Sequence, residues 1–148
     1  MNIPMDVLDS IKSNNTGNVI LLVMSTLPIR KGVETYQFVE DPQLNTYKGI
    51  SQLEAGTKFF LQTLAKKGEI INKIVILASD ETKKADDLYC GCSAVEVYES
   101  RVKSFIQGNP ADYYNAEDTK NPDIQESSFV GKDLYSGSLE DLFAVISD

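Results

Sequence analysis

Two short runs of consecutive apolar residues predict two strands of a sheet that helices cover on both faces. Residues 19–24 lie in the stretch NVILLVMSTLP, and residues 74–78 lie in KIVILAS. Continuous apolar runs of this length are typical of central strands in a parallel sheet, because such strands are buried on both sides. Both runs end at small hydroxyl residues, which are Ser25 and Thr26 after the first run and Ser79 after the second.

An alternating pattern predicts one further strand between these two runs. The stretch VETYQFVE alternates Tyr36 and Phe38 with Thr35 and Gln37. Alternation of this kind is typical of a strand with one buried and one exposed face.

Two amphipathic helices are predicted by capping-box spacings that precede apolar stripes. In SQLEAGTKFFLQTLAKKG, Ser51 and Glu54 have this spacing, and Gly68 can close the helix. In SAVEVYESRVKSFIQGN, Ser93 and Glu96 repeat the spacing. The inward stripes are Leu53, Phe60, Leu61 and Leu64 in the first helix, and Val95, Tyr98, Val102, Phe105 and Ile106 in the second.

The remaining segments carry weaker patterns. Residues 1–17 predict an amphipathic leader helix, and the stretch DETKKADDLY predicts another short helix. Residues 109–132 are polar, contain prolines and lack an apolar period, so we expect a long surface loop there. A last helix is predicted from Ser138, with Leu139, Leu142, Phe143 and Ile146 facing inward.

This order of elements predicts one α/β domain over residues 1–148, with a Rossmann-like open, mainly parallel sheet and flanking helices. Such a sheet normally has more than three strands, and no strong strand pattern follows Ser79. The domain therefore looks truncated, either as a fragment or as a chain that borrows sheet from a partner. We expect a homodimer, because a two-fold interface would bury the apolar surface that so small a sheet exposes.

Composition and charge limit the functional classes. A formal charge of −8 argues against broad contact with duplex DNA. No apolar run approaches the roughly 20 residues that span a bilayer, and the N-terminus lacks a basic start, so we expect a cytoplasmic protein. The chain has no histidine, and Cys90 and Cys92 are too few and too close for a zinc site. We therefore expect neither a metal nor a cofactor.

The ends of the two apolar runs form a candidate ligand site. Ligands of open α/β sheets gather at the carboxyl ends of the strands, and the turn PIRKG adds two adjacent cations after the first run. The predicted ligand-binding residues are Ser25, Thr26, Arg30, Lys31, Ser79 and Thr82. The alternative interpretation is structural, since hydroxyl residues commonly cap turns and loop cations are usually solvated.

Four stretches, NVILLVMSTLP, TYQF, TKFFLQTLAKKG and KIVILASDET, together resemble the N-terminal half of the CARF domain, the Rossmann-like sensor domain of CRISPR-associated proteins. The resemblance covers residues 18–107 and implies a homodimer whose two-fold axis carries a cyclic oligoadenylate. The loop from Ser25 to Lys31 matches the family's first ligand-binding segment, and the turn from Ser79 to Thr82 matches a position near the bound ring. The family's later strand, with a glycine and a basic residue that contact the ligand, has no match before Asp148.

The leading hypothesis from these features is a non-catalytic sensor that binds a cyclic oligoadenylate second messenger in antiviral defence. One alternative is a metal-independent ring nuclease that cleaves this ligand, since some members of the family position the ligand's own 2′-hydroxyl for attack and need no histidine. Another alternative is a structural or partner-binding domain that has no ligand.

Overall fold

The fold was analysed in a computed structural model, which describes residues 17–24, 34–38, 46–85, 91–108, 129, 131 and 133–147. The described residues form five strands and three α-helices. In chain order these are β1 (Asn18–Val23), β2 (Glu34–Gln37), β3 (Thr46–Gly49), α1 (Gln52–Lys66), β4 (Ile71–Ala78), α2 (Asp80–Lys83), α3 (Ala94–Ile106) and β5 (Phe143–Ser147).

Three of the strands form a parallel sheet in the order β1-β4-β5. Both crossover connections step in the same direction across the sheet. Right-handed crossovers of this kind place their helices on the same face, and α1 and α3 do lie on one face. The predicted α/β fold with a Rossmann-like open, parallel sheet is confirmed.

The hydrophobic core lies between this sheet and the helices α1 and α3. Even-numbered side chains of β1 and the central part of β4 point toward the helices, as the two-residue period of a strand requires. The buried residues of this core include Leu22, Met24, Ile74, Ile76 and Ala78 from the sheet side, and Leu61, Leu64, Val95, Tyr98, Val102 and Ile106 from the helices. The stripe predicted for α3 is confirmed. The stripe predicted for α1 is wrong at Phe60, which is 59% exposed.

The prediction that β1 is buried on both faces is wrong. Its odd-numbered residues Val19, Leu21 and Val23 are exposed, with Leu21 at 59% and Val23 at 68%. The reason is topological: β1 is an edge strand of the sheet, and α1 and α3 both cover the opposite face. An apolar run therefore did not distinguish a central strand from an edge strand.

The predicted C-terminal helix is also wrong. The chain forms a 3-10 turn at Glu140–Leu142 and then the strand β5, which pairs in parallel with β4. The stretch FAVIS is short and rich in β-branched and aromatic residues, and the second edge of β4 satisfies its backbone groups. The expectation that no strand follows Ser79 fails for the same reason.

The predicted strand at VETYQFVE is present as β2, but it lies outside the main sheet. It pairs antiparallel with β3, which the sequence did not predict, and Tyr36 is opposite Tyr47. Aromatic rings join this pair to the helices: Phe38 stacks on Phe59 at 4.5 Å between centroids, and Tyr47 meets Phe105 edge-on.

The caps of α1 follow the prediction in part. The Ser51 hydroxyl accepts a hydrogen bond from the Glu54 backbone N–H at 3.2 Å. The Glu54 carboxylate accepts from the backbone N–H of Ile50 at 3.1 Å, one residue before the position that a capping box uses. Gly68, with φ of 69°, closes the helix as predicted. The capping box predicted for α3 is present.

Several predictions fall on other parts of the chain. The leader helix over 1–17 lies outside the described residues except for Gly17, and so does most of the loop over 109–132. Within that loop Phe129 is described, and its ring packs against Phe105 at 5.1 Å. The short helix predicted in DETKKADDLY is present as the four residues of α2. Within the part of the chain that the structure describes, no helix is long and apolar enough to cross a bilayer.

Candidate functional site

The three parallel strands bring their carboxyl ends to one edge of the sheet, which we call the carboxyl edge. It is defined by Ser79, Thr82 and Lys83 after β4 and by Ser147 at the end of β5. The carboxyl end of β1 belongs to the same edge, since the Met24 backbone N–H donates to the Leu77 carbonyl at 2.9 Å.

Of the six predicted ligand-binding residues, the structure brings together Ser79 and Thr82. Ser79 is an exposed residue at the start of α2, and its side chain makes no capping hydrogen bond there. Thr82 is buried, and its hydroxyl donates to the Ser79 carbonyl at 2.8 Å. Thr82 thus stabilises the turn, as the structural alternative expects, whereas Ser79 faces solvent. Ser25, Thr26, Arg30 and Lys31 lie outside the described residues.

Lys83 and Ser147 are the residues at this edge that the sequence analysis missed. The Lys83 ammonium donates a hydrogen bond to the Ser147 hydroxyl, so the end of α2 is joined to the end of β5. Ser147 was missed because its segment was predicted to be a helix. The sequence position of Lys83 could have indicated it, because Lys83 lies one short turn after the buried strand β4.

The charge of Lys83 is only weakly compensated. Its ammonium lies 3.6 Å from a carboxylate oxygen of Asp80, whose side chain is 98% exposed. Exposed ion pairs of this kind contribute little, because water screens both charges. An ammonium group offers three hydrogen-bond donors, so Lys83 can contact an anion while it remains near Ser147.

A second cluster of charged residues lies buried where α1, α3 and β3 meet. The Arg101 Nε donates to Glu54 Oε1 at 2.6 Å, and the Lys58 ammonium lies 3.0 Å from Glu54 Oε2. Lys58 also donates to the Lys48 carbonyl at 2.7 Å, and its ammonium sits 5.3 Å from the centre of the Phe105 ring. Each of the three charged groups therefore has a partner within the protein.

The cluster holds Glu54 in its ionised form. Burial alone would raise the pKa of Glu54, but the charges of Lys58 and Arg101 outweigh burial and lower the pKa below its ordinary value. Beside the cluster, burial raises the pKa of Tyr98, whose hydroxyl is 2.7 Å from that of Thr57. These contacts connect three elements and leave no charge directed toward solvent, so we assign the cluster to the architecture.

Two further comparisons bear on this site, one with metal-binding clusters and one with known proteins. The described residues contain no group of three His, Cys, Asp or Glu side chains that could hold a metal ion. No family model, no curated protein and no solved structure matches the chain.

Proposed function

We propose that the chain is a CARF-like sensor domain that binds a cyclic oligoadenylate at the carboxyl edge of its parallel sheet. The observation that supports this proposal is the hydrogen bond of Lys83 to the Ser147 hydroxyl, at the edge where open α/β sheets hold their ligands and where Ser79 is exposed. Two of the four CARF-like stretches contain β1 and β4, whose carboxyl ends form this edge. In this proposal the protein is a cytoplasmic component of antiviral defence.

The chemistry of the edge suits a phosphodiester. A phosphodiester carries one negative charge and accepts hydrogen bonds, so it requires a cation and neutral donors. Lys83 supplies the cation, and the hydroxyls of Ser79 and Ser147 are neutral donors. Arg30 and Lys31 follow β1 in the sequence and would add positive charge in a protein whose formal charge is −8.

The proposed protein binds its ligand without cleaving it and acts as a homodimer. Hydroxyl groups and an ammonium group can hold the phosphates of a bound ring. The exposed apolar side chains of β1 support a homodimer, because a second copy would remove them from water.

Thermal melting with a panel of cyclic and linear oligoadenylates tests the proposal. We expect a rise in melting temperature with at least one cyclic member and no appearance of linear product. Lys83→Ala should weaken binding by about tenfold or more, on the scale of one charge-assisted hydrogen bond. The matched control is Lys67→Ala, because Lys67 caps α1 at the opposite edge of the sheet and should leave binding unchanged.

Three results would contradict the proposal. If no member of the panel raises the melting temperature, the carboxyl edge is not an oligoadenylate site. If the bound ring is converted to linear product, the protein is a ring nuclease. If Lys67→Ala weakens binding as much as Lys83→Ala, the effect reflects overall charge rather than a site at the carboxyl edge.

A further inference from the structure

The outer edge of β1 is an open strand edge. The backbone N–H of Met24 donates to Leu77 of β4, and that of Asn18 donates to Ile70, the residue before β4. The even-numbered residues of β1 therefore face β4. The N–H and C=O groups of Val19, Leu21 and Val23 therefore point away from the sheet. Within the described ranges no strand pairs with this edge.

Exposed apolar side chains accompany these open backbone groups. Leu21 and Val23 are exposed on the face opposite the helices, yet Val75, which is paired with Leu21 on that face, is only 2% exposed. The exposed apolar side chains of this face therefore lie along β1. A strand added beside β1 would contact them, whereas a layer packed over the whole sheet is not needed.

The edge of β1 lacks the features that keep strand edges from pairing. Charged residues, prolines and bulges at the exposed edge are the usual protection. Residues 18–24 contain no charged residue and no proline, and the bulge in the pairing with β4 falls at the first residue of the strand. Since each chain carries a formal charge of −8, two copies repel each other over most of their surface and approach most easily through a neutral segment.

We propose that a second copy of this chain docks on β1, so that the β1 strands of two copies pair antiparallel about a two-fold axis. This inference goes beyond the proposed function, because it names a dimer surface that keeps the carboxyl edges of the two copies apart, and it does not depend on a ligand. Antiparallel pairing satisfies an exact two-fold axis, because the same residues then donate and accept on both strands.

The open backbone groups determine the register. Placing the axis at Leu21 makes Leu21 face its own copy and makes Val19 face Val23 of the other chain, and all of these residues carry outward N–H and C=O groups. The apolar side chains of both strands then lie beside one another on one face. The paired edge is short compared with a standard interface, so we expect association in the micromolar range.

Sedimentation of the full chain between about 1 and 100 µM, without ligand, measures the association. We expect a shift from monomer toward dimer over this range. Leu21→Lys should abolish the shift, because it places two ammonium groups at the axis. The matched control is Phe60→Lys, since Phe60 on α1 has the same 59% exposure as Leu21 and should leave the shift unchanged. Circular dichroism of each variant checks that the fold is intact.

A cross-link tests the register independently of stability. In a background with Cys90→Ser and Cys92→Ser, Leu21→Cys should form a covalent dimer on oxidation, because facing Cα atoms in such a pair are about 5.5 Å apart. Val145→Cys, an exposed position on β5, should not. A monomer at every concentration, a dimer that Leu21→Lys leaves intact, or equal cross-linking at residues 21 and 145 would overturn the proposal. The oligoadenylate panel is independent of these measurements, so either proposal can fail alone.

Discussion

At the scale of single residues, Glu54 joins the two long helices to the segment beside β3. Its carboxylate contacts Arg101 from α3, Lys58 from α1 and the backbone of Ile50 beside β3. Among the described residues, the Glu54 carboxylate pairs with both of these buried cations. Buried ion pairs of this kind add little over apolar packing, but breaking one is costly because a charge is left without its partner.

Glu54→Gln should therefore lower the free energy of unfolding by about 3 to 5 kcal/mol, because Arg101 and Lys58 lose their ion pairs with the Glu54 carboxylate. Urea denaturation of the wild type and the variant measures the difference. Glu81→Gln is the control, since Glu81 is an exposed carboxylate and its loss should change stability by less than about 0.5 kcal/mol. Equal effects of the two substitutions would show that the buried cluster does not stabilise the fold.

The lowered pKa of Glu54 also makes the stability of the protein depend on pH. The pKa of Glu54 lies below its ordinary value of 4.5 in the folded protein, so the unfolded chain takes up a proton at higher pH than the folded chain. The stabilisation by Glu54 is thus complete above that value and is lost as the pH falls through the lower folded pKa. The stability gap between wild type and Glu54→Gln should narrow as the pH falls below about 4.5. A gap that is constant over this range would contradict the lowered pKa.

At the scale of elements, capping explains where α3 begins. Ser93 and Glu96 exchange hydrogen bonds through their side chains and backbone N–H groups, at 3.1 and 3.0 Å. Ser93→Ala should lower the free energy of unfolding by about 1 kcal/mol, since one N–H at the start of the helix loses its acceptor. Ser104→Ala, inside the same helix, is the control and should be neutral or slightly stabilising. Thermal melting of both variants decides the point, and equal losses would show that the cap is not the cause.

Elements with strong local signals were predictable from the sequence, and elements decided by tertiary contacts were not. The helices α1 and α3 combine caps with long apolar stripes, so their pattern alone indicates them. Leu142, just before β5, and Ile146 within it are four residues apart, which fits a helix as well. The open edge of β4 decided in favour of a strand. Similarly, β3 is four residues long and depends on pairing with β2.

The sequence indicated the carboxyl edge of the sheet as the candidate site, but it indicated only some of the residues that lie there. The rule that ligands lie at the carboxyl ends of strands indicated Ser79, which the structure leaves exposed at that edge. Thr82 matched the same rule, but it is a turn residue because its hydroxyl has a backbone acceptor within reach. The contact of Lys83 with Ser147 depends on β5 lying beside β4, and no local pattern carries that information.

At the scale of the whole molecule, the two proposals together predict the ratio of ligand to protein. Antiparallel pairing of β1 strands points the carboxyl edges of two copies in opposite directions, so each copy keeps its own site. Titration calorimetry should then saturate at one ligand per chain. A ratio of one ligand per two chains would match the arrangement that the CARF resemblance implies and would contradict pairing through β1.

In the proposed function, an otherwise acidic protein binds a phosphodiester ligand at the carboxyl edge of its sheet. Arg30 and Lys31 follow β1 and remain predicted ligand contacts that lie outside the described residues. The most direct test is calorimetric titration of a cyclic oligoadenylate into the wild type and into the Arg30→Ala, Lys31→Ala double variant, at two salt concentrations. We predict that the double variant binds more weakly by about 1 to 3 kcal/mol and with less dependence on salt. Equal affinity and equal salt dependence of the two proteins, or no binding by the wild type, would contradict the claim.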